Sequence, residues 1–574
     1  MYIRPINVKK NGKDHEYWAL VESYQTERGP RQRTVAYLGK LPQKVRRGVK
    51  NAAEGDRQPG QTQLFHREEP HWVEVDLSGV RAERCRDYGG PWLGLELART
   101  LGLDDFLRKI LPGGREEIRP AEMALILVLC RLCDPSSELY VAEHSYGSSA
   151  MPELLGVPAS KVNKDRLYRA LDALLPHKRD LEKFLARRLG SLFDLEYDLL
   201  LYDITSTYFE GRVAGGDLAQ RGYSRDKRPD CNQVCIGLVV TRCGMPLGYE
   251  IFAGNRSDST TVQEIVEVME SRYGRADRIW VMDRGMVSEQ NIAFLREGDR
   301  SYILGTPKSE LKEFQKQIIA GGWEEVRAGV EVKLCEADAG QETFILCRSA
   351  RRGKKEQAML SRFESRLEQR LRTMEAYCKK RNYSVEVIAE RVGRAKEKNS
   401  RAARLFQTEV REKPGGGASL RWEKKEDRRE WADLSEGCYL LRSNITAWNA
   451  QDLWEAYIQL TEAEAAFRIQ KSDLQIRPIC HQRPDRVRAH ILVCFLAFVL
   501  WKTLGGLCHQ SGLGEEPRRV FDELSRIKLV EVVLPTRAGV EIRKRCVSRP
   551  TGHQQILLEH LGLSLPRSIK SMEM

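Results

Sequence analysis

Hydrophobic and polar positions change period several times along the chain. In EYWALVESYQ and RQRTVAYLGKL every second position is apolar on either side of an ERGP turn, which predicts a β-hairpin carrying Lys9, Lys10, Arg28, Arg31 and Arg33. Residues 41–69 are polar and rich in Gly and charge, a linker pattern. From about Asp87 to Phe193 the apolar spacing becomes three and four, in LGLELARTLGLDDFLRKIL, PAEMALILVLCRLCD and KVNKDRLYRALDALL. That region predicts an all-helical domain, with Pro120 at a helix start and Lys161 to Leu175 as the candidate second helix of a DNA-reading helix-turn-helix.

At Tyr197 the pattern turns to strands. DLLLYDITSTYF is apolar on both faces, as a covered central strand should be, and VCIGLVVT and LGYEIFAG follow as an antiparallel pair around RCGMP. A helix (TVQEIVEVMESRYG), a buried strand (RIWVMD), a second helix (SEQNIAFLRE) and a strand (SYILGTP) complete a mixed sheet. Its two sharp carboxylates, Asp203 and Asp283, are predicted at the ends of the first and fourth strands. A basic insert of some 140 residues comes next, with short strands predicted in GWEEV, VEVKLCEA, ETFILCRS, YSVEVIAERVG and CYLLRSN and a charged helix over 354–380. WEAYIQLTEAEAAFRIQK (Trp454 to Lys471) has no Pro or Gly and predicts one unbroken helix. Tyr457, Glu464 and Lys471 are seven apart, so they share a stripe that drifts only about 20° per step, alternating with Leu453, Leu460 and Phe467. Strands (KLVEVVLP) and a helix (QQILLEHLG) end the chain.

Composition narrows the partners. At 574 residues the chain holds several domains, and its net charge of +13 makes a polyanion the first partner to consider. The most apolar run, Ile491 to Trp501, is shorter than the roughly 20 residues of a spanning helix and predicts a buried one, so no membrane partner is expected. The N-terminus has no apolar signal stretch, which predicts a cytoplasmic protein whose 14 cysteines stay reduced. The CxxC of Cys130 and Cys133 lacks a second pair at zinc-ligand spacing. No GxxxxGK[ST], HExxH or strand-linked GxGxxG is present, which leaves nucleotide-binding and zinc-protease chemistry without a foothold.

Three carboxylates remain to be joined. Asp203 and Asp283 would lie side by side if their strands are parallel neighbours, and Glu464 would reach them if its helix packs on the sheet edge. Such a cluster without a compensating Arg repels itself unless it binds a hard cation, and Mg²⁺ takes oxygen ligands of this kind. Two such ions would serve phosphodiester cleavage.

YDITSTYFEG around Asp203, GYSRDKRPD and GMPLGYEIFAGNRSD after it, and VMDRGM around Asp283 resemble the motifs of bacterial insertion-sequence transposases of the DDE class. The branch with a β-rich insert has the signature Y-x2-R-x3-E-x6-K, which selects Tyr457, position 460, Glu464 and Lys471; Leu460 stands where the branch has arginine, with Arg468 a turn further on as its candidate replacement. The resemblance implies an RNase H-like core at 196–308 and 449–510, interrupted by a β-rich basic insertion at 309–448. Ahead of the core it sets a β-hairpin module and linker at 1–75 and a helical domain at 76–195, and behind it an appendage at 511–574. It makes Asp203, Asp283 and Glu464 the catalytic ligands of two Mg²⁺ ions, with Mn²⁺ as a substitute, and puts Tyr457 and Lys471 on transposon-end phosphates. Arg468 and Arg284 are further DNA contacts, although Arg284 is equally able to pair with the adjacent carboxylate. One of Trp323, Trp422, Trp431 and Trp448 would stack a flipped base. The implied partners are terminal inverted repeats, target DNA and a second copy of the chain on DNA, at the bacterial nucleoid. A structure-specific nuclease on the same fold, or a decayed transposase that only binds DNA, are the competing functions.

Overall fold

A computed structural model describes residues 2–10, 13–26, 29–39, 73–211, 216–275, 277–336, 342–414 and 416–566. The chain divides into two units, one of Met1–Leu167 with Leu500–Met574 and the other of Tyr168–Val499. The expected linker and Arg28 lie outside the described residues.

The N-terminal segment is a three-stranded antiparallel sheet, not a two-stranded hairpin. β1 (Tyr2–Lys10), β2 (Lys13–Thr26) and β3 (Gly29–Gly39) lie in that order. Pro5 weakens the strand pattern of β1, but an edge strand tolerates a residue that cannot donate to a ladder. β4 (Arg81–Asp87) follows, then the helices Gly89–Leu101, Leu103–Ile110 and Pro120–Cys133, whose apolar faces are buried.

The unit from Tyr168 to Val499 is built on one mixed sheet of nine strands. β5 (Leu199–Tyr208), β6 (Gln233–Thr241) and β7 (Pro246–Ala253) form the predicted antiparallel meander. The helix Val262–Tyr273 leads to β8 (Ile279–Met282), and the helix Glu289–Glu297 leads to β9 (Ser301–Gly305). β8 pairs parallel with both β5 and β9. These strands are buried because helices supply the apolar residues that cover them: Val262, Ile265, Val266, Met269, Ile292 and Leu295 share one core with Tyr202, Trp280 and Leu304.

The insert differs from a separate β-rich body. β10 (Glu324–Arg327), β11 (Val330–Glu336) and β12 (Thr343–Ser349) join the main sheet through β15 (Cys438–Ser443), which gives the order β10-β11-β12-β15-β9-β8-β5-β6-β7. Between β12 and β15 the chain leaves the sheet as the 31-residue helix Ala350–Lys380, the helix Val385–Lys398 and a small ladder of β13 (Phe406–Glu412) and β14 (Ala418–Lys424). YSVEVIAERVG is helical there, contrary to its predicted strand. Ser384 caps it, and Ile388, Val392 and Ala395 fall on one buried face, so packing prevails over the β-branched residues.

In the other unit β16 (Lys528–Pro535) pairs with β17 (Glu541–Val547) and with β4, so the C-terminal strands join the start of the helical region in one sheet and are no separate appendage. The apolar run 491–501 belongs to a 27-residue helix, Pro484–Gln510, long and apolar enough by composition to cross a membrane. Its apolar window is 78% buried within the protein, as in a core helix.

Candidate active site

Asp203 sits at the middle of β5, not at its end. β5 stays paired with β6 from Leu200 to Tyr208, whereas its parallel pairing with β8 stops at Tyr202 opposite Met282. The next residue on each strand is the carboxylate, so Asp203 and Asp283 are brought side by side where β8 ends. Asp283 caps the short turn Arg284–Met286 and is exposed.

The predicted single helix is two. Ala450–Ile458 and Thr461–Ser472 meet at Gln459 and Leu460, where the bonding tightens to i→i+3: the amides of Leu460 and Ala463 donate to Tyr457 and Leu460 carbonyls, each at 3.0 Å. The first helix packs against β8, β9, β11 and β12 and the second against β5 and β6. Glu464 therefore comes over the sheet's interior strands rather than its edge. Leu453, Leu460 and Phe467 are buried as the stripe predicted. Leu460 faces the core and offers DNA nothing, while Arg468 is exposed one turn beyond Glu464 and has no ion pair among the described residues.

Electrostatics tie the three acids together. Burial, reinforced by the charges of Asp283 and Glu464, pushes Asp203 up to about 7, despite an Ile204 amide donating to it at 2.8 Å and the opposing charge of Arg225. Glu464 is raised by its own desolvation and by Asp283. Arg225 does not neutralise the group, because its Nη2 lies 2.5 and 2.6 Å from the two carboxylate oxygens of Asp258. Carboxylates that repel one another in this way are oxygen donors of the kind a hard divalent cation takes.

Around them stand the predicted DNA contacts. The Tyr457 hydroxyl donates to Asp283 Oδ1 at 3.3 Å, and burial raises its pKa, which keeps it a donor. Gly305 at the end of β9 permits this approach: a Cβ there would collide with the Tyr457 hydroxyl and lie 3.2 Å from the Arg284 amide. We expect Gly305→Ala to slow DNA cleavage about tenfold by turning Tyr457 away, and Tyr457→Phe added to it to cost little more. Single-turnover rates of the two single variants and the double variant check this; full additivity contradicts it.

Arg284 is exposed and has no ion pair among the described residues, so it is not spent on Asp283. Lys471 is held: its Nζ donates to Asp226 Oδ1 at 2.8 Å, and Arg477 pairs with the same oxygen. Asp226 is 3% exposed. Burial lowers the Lys471 pKa and Asp226 opposes that. Asp226 is a residue that sequence reasoning did not single out, although it lies within the GYSRDKRPD motif; a long-range ion pair leaves no periodic trace. Arg477 is fixed in turn, since Ile479 bridges to Phe209 just beyond β5. Of the tryptophans, Trp422 donates to Glu375 at 3.1 Å, Trp323 and Trp431 pack in the insert's core, and Trp448 lines a surface cavity with Arg242 and Gln459.

Residues 196–500 match the family model of the transposase DDE domain, and residues 3–63 match that of the IS1634 family transposase N-terminal domain. The chain belongs to the transposase DDE domain family. It is an insertion-sequence transposase, an enzyme of DNA cleavage and strand transfer. No curated protein matches it. Among solved structures, the cryo-EM structure of a piggyBac transposase synaptic complex with hairpin DNA is similar over 78% of this chain and 81% of that one, at 10% identity and a TM-score of 0.36, too loose a likeness to bear on the mechanism.

Proposed function

We propose that Asp203, Asp283 and Glu464 hold two Mg²⁺ ions, replaceable by Mn²⁺, in an RNase H-like core that frees the 3′ ends of the element and joins them to target DNA. The observation that carries this is the mutual repulsion of the three acids across a parallel strand pair and an overlying helix, with the neighbouring arginine already committed elsewhere. When bound, such ions activate the attacking water or hydroxyl and stabilise the leaving oxygen. The strand order β7-β6-β5-β8-β9, antiparallel and then parallel, supports the RNase H-like reading. The core is assigned to 196–308 and 449–510, with 309–448 inserted between them and adding β10, β11, β12 and β15 to its sheet.

The protein's own groups position the DNA. Tyr457 steadies Asp283 by its hydrogen bond and offers its ring edge to the terminal phosphate. Arg284 and Arg468, both exposed, take phosphate oxygens, and Arg468 substitutes for the arginine missing at Leu460. Lys471 and Arg477 form a two-cation clamp that Asp226 holds ready. Trp448 is the tryptophan best disposed to receive a base, the other three being packed. Two copies of the chain pair two element ends, in the bacterial cytoplasm at the nucleoid.

Asp226→Asn is expected to slow cleavage about tenfold while leaving affinity for end DNA unchanged or tighter, because it removes a negative charge but loosens the clamp. Single-turnover rates beside fluorescence anisotropy check this; equal losses in both would mean that Asp226 serves the fold alone. The reading as a whole is tested with a duplex carrying the element's own inverted repeats, incubated with target DNA and Mg²⁺. Joined products support it, nicking without joining favours a nuclease, and binding without cleavage leaves a decayed copy.

A further inference from the structure

The helix Ala350–Lys380 segregates its charge. All four of its carboxylates are satisfied on or beside the packed side: Glu356 by Lys308 and Arg352, Glu364 by Lys424 and Arg429, Glu368 by Lys424 and Arg372, Glu375 by Lys379 and the Trp422 indole. Leu360, Leu367, Leu371, Met374 and Cys378 bury the neighbouring face. Seven cations remain, Arg351, Lys354, Lys355, Arg362, Arg366, Arg370 and Lys380, every one exposed and without an ion pair among the described residues. At 3.6 residues per turn all of them but Lys354 fall within an arc of about 100° and run about 45 Å along the helix. No acid of the helix falls within that arc, and its other exposed members include Gln369, Thr373 and Tyr377, polar groups compatible with a phosphate surface.

The base of this helix is fixed to the sheet that carries the aspartates. Glu356 accepts from Lys308 just past β9 at 2.8 Å and from the Gly437 amide just before β15 at 3.1 Å. Arg352 lies over the ring of Tyr439, whose hydroxyl accepts from the Trp454 indole at 2.8 Å, three residues before Tyr457. The stripe thus starts at the framework of the site and leads along a rigid rod. A duplex rises about 3.4 Å per base pair, so the stripe spans about 13 pairs.

We propose that this face docks on the phosphate backbone of the transposon-end duplex, the DNA whose terminus lies at the carboxylates, and that it grips without reading sequence. The proposal rests on the transposase reading and adds to it the surface that holds the DNA away from the chemistry. Like-signed charges left unpaired along one face are costly to keep together unless a polyanion covers them, and each phosphate so neutralised releases a counterion.

The test uses the full chain and a fluorescein-labelled 40-base-pair inverted-repeat duplex, with anisotropy measured from 50 to 300 mM salt. The triple variant Arg362→Ala/Arg366→Ala/Arg370→Ala is expected to bind at least tenfold more weakly at 150 mM, with the slope of log affinity against log salt shallower by about 3. It is expected to lose no affinity for a duplex truncated to the outermost few base pairs. Arg372→Ala/Lys379→Ala removes two cations that already have carboxylate partners and is expected to leave the slope within about 1 of wild type. Equal losses in both variants would reduce the stripe to bulk charge and overturn the proposal. Unchanged end binding with weaker strand transfer would assign the face to target DNA and overturn it as well. The transposase reading is scored separately, by whether the wild-type protein cleaves and joins the same duplex.

Discussion

Asp203→Asn, Asp283→Asn and Glu464→Gln are each expected to lower cleavage of end DNA by at least about a thousandfold, equivalent to about 4 kcal/mol of transition-state stabilisation. The size follows from the arrangement. The three acids come from β5, from the residue after β8 and from the helix Thr461–Ser472, and no fourth carboxylate of that helix is aimed at the site to replace one of them: Glu462 is on a different face, two residues from Glu464. Each substitution is close to isosteric and removes a charge, so the fold survives and affinity for the DNA polyanion holds or rises. A gel assay of cleaved strands beside anisotropy of the bound duplex separates the two effects. A variant retaining a tenth of the wild-type rate would exclude that residue from the metal set.

Divalent-ion binding is expected to weaken steeply below pH 7. Asp203 titrates near 7 in the metal-free protein, against an ordinary value of 3.8, so below that pH an incoming cation must first displace its proton. Apparent affinity then falls by up to tenfold for each pH unit below 7 and is flat above it. The same shift governs stability. A carboxyl whose folded pKa is raised favours the fold fully below its unfolded pKa, and that contribution is lost as pH rises through about 7. The metal-free protein is therefore more stable at pH 5 than at pH 8 as far as this group is concerned, and Asp203→Asn should raise the pH 8 melting temperature, by an amount on the order of 2 kcal/mol in free energy. Thermal melts with EDTA or Mg²⁺ at pH 5, 6, 7 and 8 check both statements. A Mg²⁺-induced shift as large at pH 6 as at pH 8 would contradict them.

What was legible in the sequence was what local periodicity encodes. Runs apolar on both faces marked β5 and β8 as central strands, and their first carboxylates marked the floor of the site. Glu464 could not be separated from Glu462 by propensity; the spacing to Tyr457 and Lys471 selected it. The break at Gln459 and Leu460 was invisible because neither residue breaks helices. It arises from the two halves packing on different strands, a tertiary demand with no local sign. Long-range pairing hid the rest. β4 (RAERCRD) has no apolar alternation and exists through its ladder with β16, and β10 to β12 read as an isolated insert although β15 ties them to β9. The Asp226 clamp joins residues 245 positions apart, which no window along one sequence can see.

The central claim, that Asp203, Asp283 and Glu464 together form a divalent-cation site, is met most directly by counting Mn²⁺. Electron paramagnetic resonance titration of free Mn²⁺ against the protein bound to a cleaved-end duplex at pH 8 is expected to show two bound ions per chain in wild type and fewer in each single-carboxylate variant. Identical Mn²⁺ binding in wild type and in Asp203→Asn, Asp283→Asn and Glu464→Gln would contradict it.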